Sequence, residues 1–128
     1  MISYKREGSV LHTKSFSFAV RIVKLFKYLS DKDYKMGAIF NQLLRSGTSI
    51  SANVHESEFA QSSSDFASKL HISLKEANET MNWLNILLET EYISQEEFDS
   101  IANDCNELIA LLVSSIKTVK RNSKIITK

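Results

Sequence analysis

Proline is missing from this 128-residue chain, and glycine occurs only three times, as Gly8, Gly37 and Gly47. An all-β protein with many tight turns needs more of both. Cysteine occurs once, as Cys105, which excludes an internal disulfide framework and a multi-cysteine zinc site. No apolar run approaches the roughly 18 residues of a membrane span, and no apolar stretch with a small-residue cleavage site opens the chain. Neither a membrane span nor a secretory leader is therefore expected, and a reducing cytoplasm is the natural compartment. What is present is an ordinary mixture, 43% hydrophobic and 24% charged. That balance suits one core and argues against global disorder.

Apolar periodicity then organises the chain into four helices. Residues 36–58 are the clearest case: Met36, Phe40, Leu43, Gly47, Ile50 and Val54 recur at steps of four and three, the seam of a helix packed on helices. Ser46, Gly47, Thr48, Ser49 and Ser51 interrupt helix propensity there, Gly47 by about 1 kcal/mol relative to Ala. A helix that keeps its register through such a run is held by its neighbours, and its small side chains invite another helix to come close. Helix one carries two stripes, Phe16-Ala19-Val23-Phe26 and Phe18-Ile22-Leu25-Leu29. That apolar surface is wider than one partner needs and predicts a contact beyond the monomer core. Ser30 to Asp33 supply turn and cap candidates, and Gln61 to Asp65 do so again. Ser94-Gln95-Glu96-Glu97 is a capping box. The expected fold is all-α, an up-down-up-down four-helix bundle assembled as a homo-oligomer. A single domain spans residues 1–128, with helices at about 15–29, 34–59, 65–91 and 95–121 and flexible ends 1–13 and 122–128.

Net charge is only +1, but it is unevenly spread. Residues 1–35 hold eight basic and three acidic side chains, residues 36–116 three and twelve, and residues 117–128 five and none. In the expected topology both basic segments meet at one pole. Lys5, Arg6 and Lys14 would then face Lys117, Lys120, Arg121 and Lys124, with Arg21 and Lys24 extending the strip along helix one. Such a pole could neutralise phosphates in a salt-dependent way. Lysines near a helix C-terminus also complement its dipole and solubilise a tail. No aromatic–basic interleaving suggests a stacking platform for bases.

Catalytic constellations are sparse. His12, His55 and His71 are scattered, and no HExxH sequence occurs. His55 and Glu58 can share a helix face, but one such pair supplies too few metal ligands. A di-iron bundle needs a Glu-x-x-His on two helices, and neither Glu76 nor Glu107 is followed by one. Cys105 falls on the core stripe of helix four, where a buried thiol is expected rather than a nucleophile. Trp83 sits one position off the Leu84 stripe and reads either as an extra core residue or as a subunit anchor. No catalytic, cofactor-binding or metal-binding residue is assigned, and no enzyme activity is expected.

The segment LLRSGTSISANVHESEFAQSSSDFASKLHISLKEANET, residues 43–80, resembles the four-helix-bundle proteins encoded in 23S rRNA intervening sequences. The same family includes the accessory variability determinant of diversity-generating retroelements. Leu44, Arg45, Ser49, Ile50, Asn53 and Glu56 match one part of its pattern, and Phe66, Leu70, Ile72, Ser73, Lys75, Glu76 and Glu79 stand at the other. LLETEYIS, residues 87–94, is similar to the family's L-x-x-x-G-Y-I/L turn. Ser51 replaces a usual proline, which removes a kink signal. The resemblance covers about residues 13–121 and implies a non-enzymatic homopentameric barrel with basic surfaces toward nucleic acid. In the retroelement branch its partner would be a reverse transcriptase. Arg45 is the matching position for nucleic-acid contact, or alternatively an ion-pair partner of Glu56 or Glu76. The function expected is weak, non-specific RNA or DNA binding; the alternative is a scaffold that binds a partner protein through apolar faces.

Overall fold

Ser9 starts the first helix by accepting a hydrogen bond from the His12 amide at 3.2 Å. The computed structural model describes residues 9–126, with side chains through Asn122. Its helices are α1 (Val10–Lys32), α2 (Gly37–Ser57), α3 (Ser63–Glu89) and α4 (Gln95–Ile126), with a short 3-10 turn at Tyr34–Met36. No strand occurs among the described residues, and the architecture is an all-α four-helix bundle.

The two largest departures from the expected helix boundaries are at the start of α1 and the end of α4. Residues 10–13 belong to α1, since the Ser9 hydroxyl satisfies an orphan amide of the first turn. The last helix continues to Ile126. Asp33 ends α1 and caps the 3-10 turn through the Lys35 amide (3.2 Å). Ser62 caps α3 through Asp65. The expected capping box is formed: the Glu97 amide donates to Ser94 Oγ at 3.1 Å, and the Ser94 amide donates to Glu97 Oε1 at 2.7 Å.

Helix pairs α1/α2, α2/α3, α3/α4 and α1/α4 pack side by side. Cross-links fix their directions. Lys14 meets Glu107, Arg21 meets Asp104, and Lys32 donates to the Tyr92 carbonyl, so α1 and α4 run antiparallel. Ser73 donates to the Ile50 carbonyl and Thr80 to Ser46 Oγ, which sets α2 against α3 in the same sense. Phe18, Ile22, Leu29, Phe40, Leu43, Ile50, Leu70, Leu84, Leu108 and Leu112 fill the shared core.

Gly47 and the serines of α2 explain how a poor helix former holds its register. α2 is continuous from Gly37 to Ser57. Ser46, Ser57, Ser73 and Thr80 are buried, yet every one of their hydroxyls is hydrogen-bonded. Among the described residues no buried side-chain nitrogen or oxygen lacks a partner, so these groups escape the desolvation cost of an orphan donor.

Of the two stripes on α1, one is core: Phe18, Ile22 and Leu29 are buried, with Leu25 packed against them. The other is open at Phe16 (59% exposed) and Val23 (40% exposed), with Val20 beside them, while Phe26 packs against the core.

Candidate functional site

The sequence nominates ten cations, and the fold sorts them. Lys5 and Arg6, and the side chain of Lys124, lie outside the described residues. Three others are neutralised by carboxylates on neighbouring helices. Lys14 pairs with Glu107 (3.0 Å). Arg21 pairs with Asp104 (2.6 Å) and also reaches the Ser100 carbonyl and hydroxyl. Arg45 bridges Glu76 (3.1 Å) and Glu79.

Lys24, Lys117, Lys120 and Arg121 have no carboxylate partner among the described residues, and all four are exposed. Lys117, Lys120 and Arg121 follow the i, i+3, i+4 spacing that puts side chains on one helix face. They stand where α1 has run out. With Lys14 opposite Glu107 in antiparallel register, Val10 falls near residue 111, and α4 continues to Ile126. That leaves about 20 Å of helix past the start of α1. The first turns of α3 still flank it, Ser64 and His71 sharing a shallow depression with Val119 and Lys120. Lys14 therefore sits two turns or more from the α4 cations it was expected to join.

A groove of about 810 Å³ lies between α1 and α2, lined by Phe16, Ala19, Val20 and Val23 and bordered by Lys24 and Lys27. His12 and His55 close one end of it. There a cluster forms that spacing along the chain conceals. His55 Nδ1 lies 3.7 Å from Glu58 Oε1, and His12 Nδ1, from the first turn of α1, lies 3.2 Å from Glu58 Oε2. The three residues each offer a donor atom, and these lie within 4.8 Å of one another.

Residues 9–114 match the family profile of the 23S rRNA-intervening sequence protein. The chain belongs to that family. It is similar to a crystal structure described as a protein with unknown function from the S23 ribosomal protein family of Bacteroides thetaiotaomicron, with a TM-score of 0.81. The two sequences are 54% identical over 84% of this chain and 99% of that chain. No protein of curated function matches.

In this intervening-sequence protein the residues that carry the resemblance make hydrogen bonds and ion pairs within and between helices. Ser73 Oγ donates to the Ile50 carbonyl across α2/α3 (3.0 Å). Asn53 and Ser49 bond back into α2, to the Ser49 and Arg45 carbonyls. Arg45 engages Glu76 and Glu79 rather than Glu56, and the Glu79 hydrogen bond holds its guanidinium above the ordinary arginine value. Glu79 also accepts from Trp83 Nε1 at 3.0 Å. That bond, followed by the one from Arg45, keeps the Glu79 carboxyl below the usual carboxylate value. Trp83 is half-buried against the core and anchors this carboxylate, a role that apolar spacing does not reveal because it is polar.

Cys105 is fully buried against the Ala77 carbonyl, and burial, aided by Asp104, pushes its thiol up to about 12. At neutral pH it carries no thiolate for nucleophilic work. No helix among the described residues is long and apolar enough to cross a membrane.

Proposed function

We propose that this intervening-sequence protein is a non-enzymatic helical bundle of the cytoplasm that self-associates through the open stripe of α1. It binds RNA or DNA weakly and without sequence preference through the end of α4. The observation that carries the reading is the sorting of the cations. Lys117, Lys120 and Arg121 share one helix face without carboxylate partners among the described residues, whereas Lys14, Arg21 and Arg45 are committed to ion pairs. Unpaired cations on a projecting helix can approach a phosphate backbone without first breaking an internal bond. Nothing in their arrangement selects a base edge, so binding follows charge.

The test is fluorescence anisotropy against generic RNA and DNA at low and physiological salt. The wild type binds at low salt and weakens as salt rises. Replacing Lys117, Lys120 and Arg121 with Gln flattens the log–log salt slope by roughly 0.7–0.9 for each phosphate that is no longer neutralised. No binding at low salt, or binding without a salt slope, refutes the phosphate-binding mechanism. Light scattering examines self-association separately: an assembled species is expected, and Phe16→Ser with Val23→Ser shifts it toward monomer.

The exposed stripe of α1 also favours a second reading, a scaffold whose apolar groove holds a partner protein. By family resemblance that partner would be a reverse transcriptase in the retroelement branch. Such a complex survives nuclease and high salt, which separates it from binding through phosphates.

A further inference from the structure

Beyond phosphate binding, the cluster at the joined ends of α1 and α2 suits a different ligand. We propose that His12, His55 and Glu58 form a divalent-cation site that takes zinc, with two imidazoles and one carboxylate as protein ligands and a fourth position open to solvent.

Three observations converge on it. The donor set is the first: two nitrogens and one oxygen is a combination that zinc accepts in sites with one open position. Spacing is the second. Zinc–nitrogen and zinc–oxygen bonds of about 2.0–2.1 Å in a tetrahedron place neighbouring donors about 3.3 Å apart. His12 Nδ1 to Glu58 Oε2 is 3.2 Å, and His55 Nδ1 to Glu58 Oε1 is 3.7 Å. The two histidines offer donor nitrogens within 4.8 Å of each other, with the ring centroids 6.4 Å apart. Because His12 and His55 keep 42% and 58% of their side-chain surface exposed, small ring rotations can close that gap.

The third observation is electrostatic. The Glu58 side chain is only 7% exposed, and neither Lys nor Arg forms an ion pair with it among the described residues. A carboxylate removed from water without a permanent cation partner is costly. A divalent ion held by all three side chains would supply the missing positive charge. The surroundings also fix the ligands. The Ser9 cap and the Ser15-to-His12 carbonyl bond hold the His12 backbone. The Phe59 ring packs edge-on against His55 at 5.3 Å. Glu58 is itself the C-terminal cap of α2, so an ion there would staple the start of α1 to the end of α2.

Isothermal titration of the full chain with Zn²⁺, followed by Co²⁺ absorption spectroscopy, tests the assignment. One ion per chain is expected, with the visible band of a four-coordinate cobalt centre. His12→Gln and His55→Gln should each weaken binding roughly tenfold or more, at least the loss seen when outer-shell groups of metal sites are removed. Both histidines are solvent-facing, so these variants keep the fold. His71→Gln, on α3, should bind as the wild type does. Failure to take up zinc saturably, or equal uptake by the His12→Gln/His55→Gln double variant, overturns the proposal. Neither result bears on nucleic-acid binding, which involves other residues.

Discussion

Gly47 on α2 lies against Ile22 on α1 so closely that a Cβ built on the glycine would stand 2.7 Å from Ile22 Cγ1 and 2.8 Å from Cγ2. Both residues are buried, Ile22 completely, so neither side of the contact can yield into solvent. Here glycine costs helix propensity and permits the α1/α2 approach that brings His12 to Glu58.

Gly47→Ala should therefore destabilise the bundle although alanine favours helix. Overpacking a tight core costs about 1–3 kcal/mol, against a propensity gain of about 1 kcal/mol. A net loss of up to about 2 kcal/mol in urea unfolding is the expected outcome. In an Ile22→Ala background the clash is gone, and the same substitution should become neutral or stabilising. Additivity of the two changes would show that the contact is not tight.

Glu91 is the one described non-glycine residue with a positive φ, at 65°. It follows the end of α3 in a Schellman arrangement: the Tyr92 amide donates to the Leu87 carbonyl at 2.9 Å, and the Glu91 amide to the Leu88 carbonyl at 3.0 Å. The left-handed conformation costs a side-chain-bearing residue roughly 1–2 kcal/mol, and the exposed Glu91 side chain makes no ion pair with a described residue to offset it. Glu91→Gly should stabilise the protein by about 0.5–1 kcal/mol after the extra entropy of the unfolded glycine is deducted. Glu91→Val should lower the thermal midpoint instead.

The bundle was legible in the sequence because its signals are local. Steps of three and four residues mark the core faces, and Ser94 with Glu97 announces the start of α4. The site was less legible because its parts come from different helices. His55 and Glu58 are visible as a pair three residues apart, but His12 joins them only through the antiparallel packing of α1 on α2. Likewise, a count of charges puts Lys14 and Arg21 in the basic strip. It cannot show that Glu107 and Asp104, from the acidic middle of the chain, face them across α1/α4.

The Arg45–Glu79–Trp83 cluster gives a pH signature. Hydrogen bonds from Trp83, then Arg45, lower the Glu79 carboxyl from an ordinary value of 4.5. A depressed folded-state value means that the unfolded chain takes up the proton first. The stabilisation is complete above about pH 4.5 and is lost as pH falls through the lower folded value. Urea midpoints should therefore drop as pH falls below about 4.5, with a shallower drop in Glu79→Gln. Trp83 emission should shift over the same acid range, because its indole N–H loses an ionised acceptor. An identical acid slope in Glu79→Gln would assign the loss to other carboxylates.

Cys105 offers a probe of opening. Its thiol is held near 12 by burial and by Asp104, and the reactive species toward disulfide reagents is the thiolate. Under mildly alkaline conditions the folded protein should resist a chromogenic disulfide for as long as the helices stay packed, while the urea-unfolded chain reacts at the rate of an ordinary cysteine. Between these limits the reaction rate should follow the population of open molecules. It should rise in Gly47→Ala and fall in Glu91→Gly by the same factors that equilibrium unfolding gives. Rapid labelling of the native protein, unaffected by either substitution, would place Cys105 in a locally mobile part of the α3/α4 seam rather than in its core.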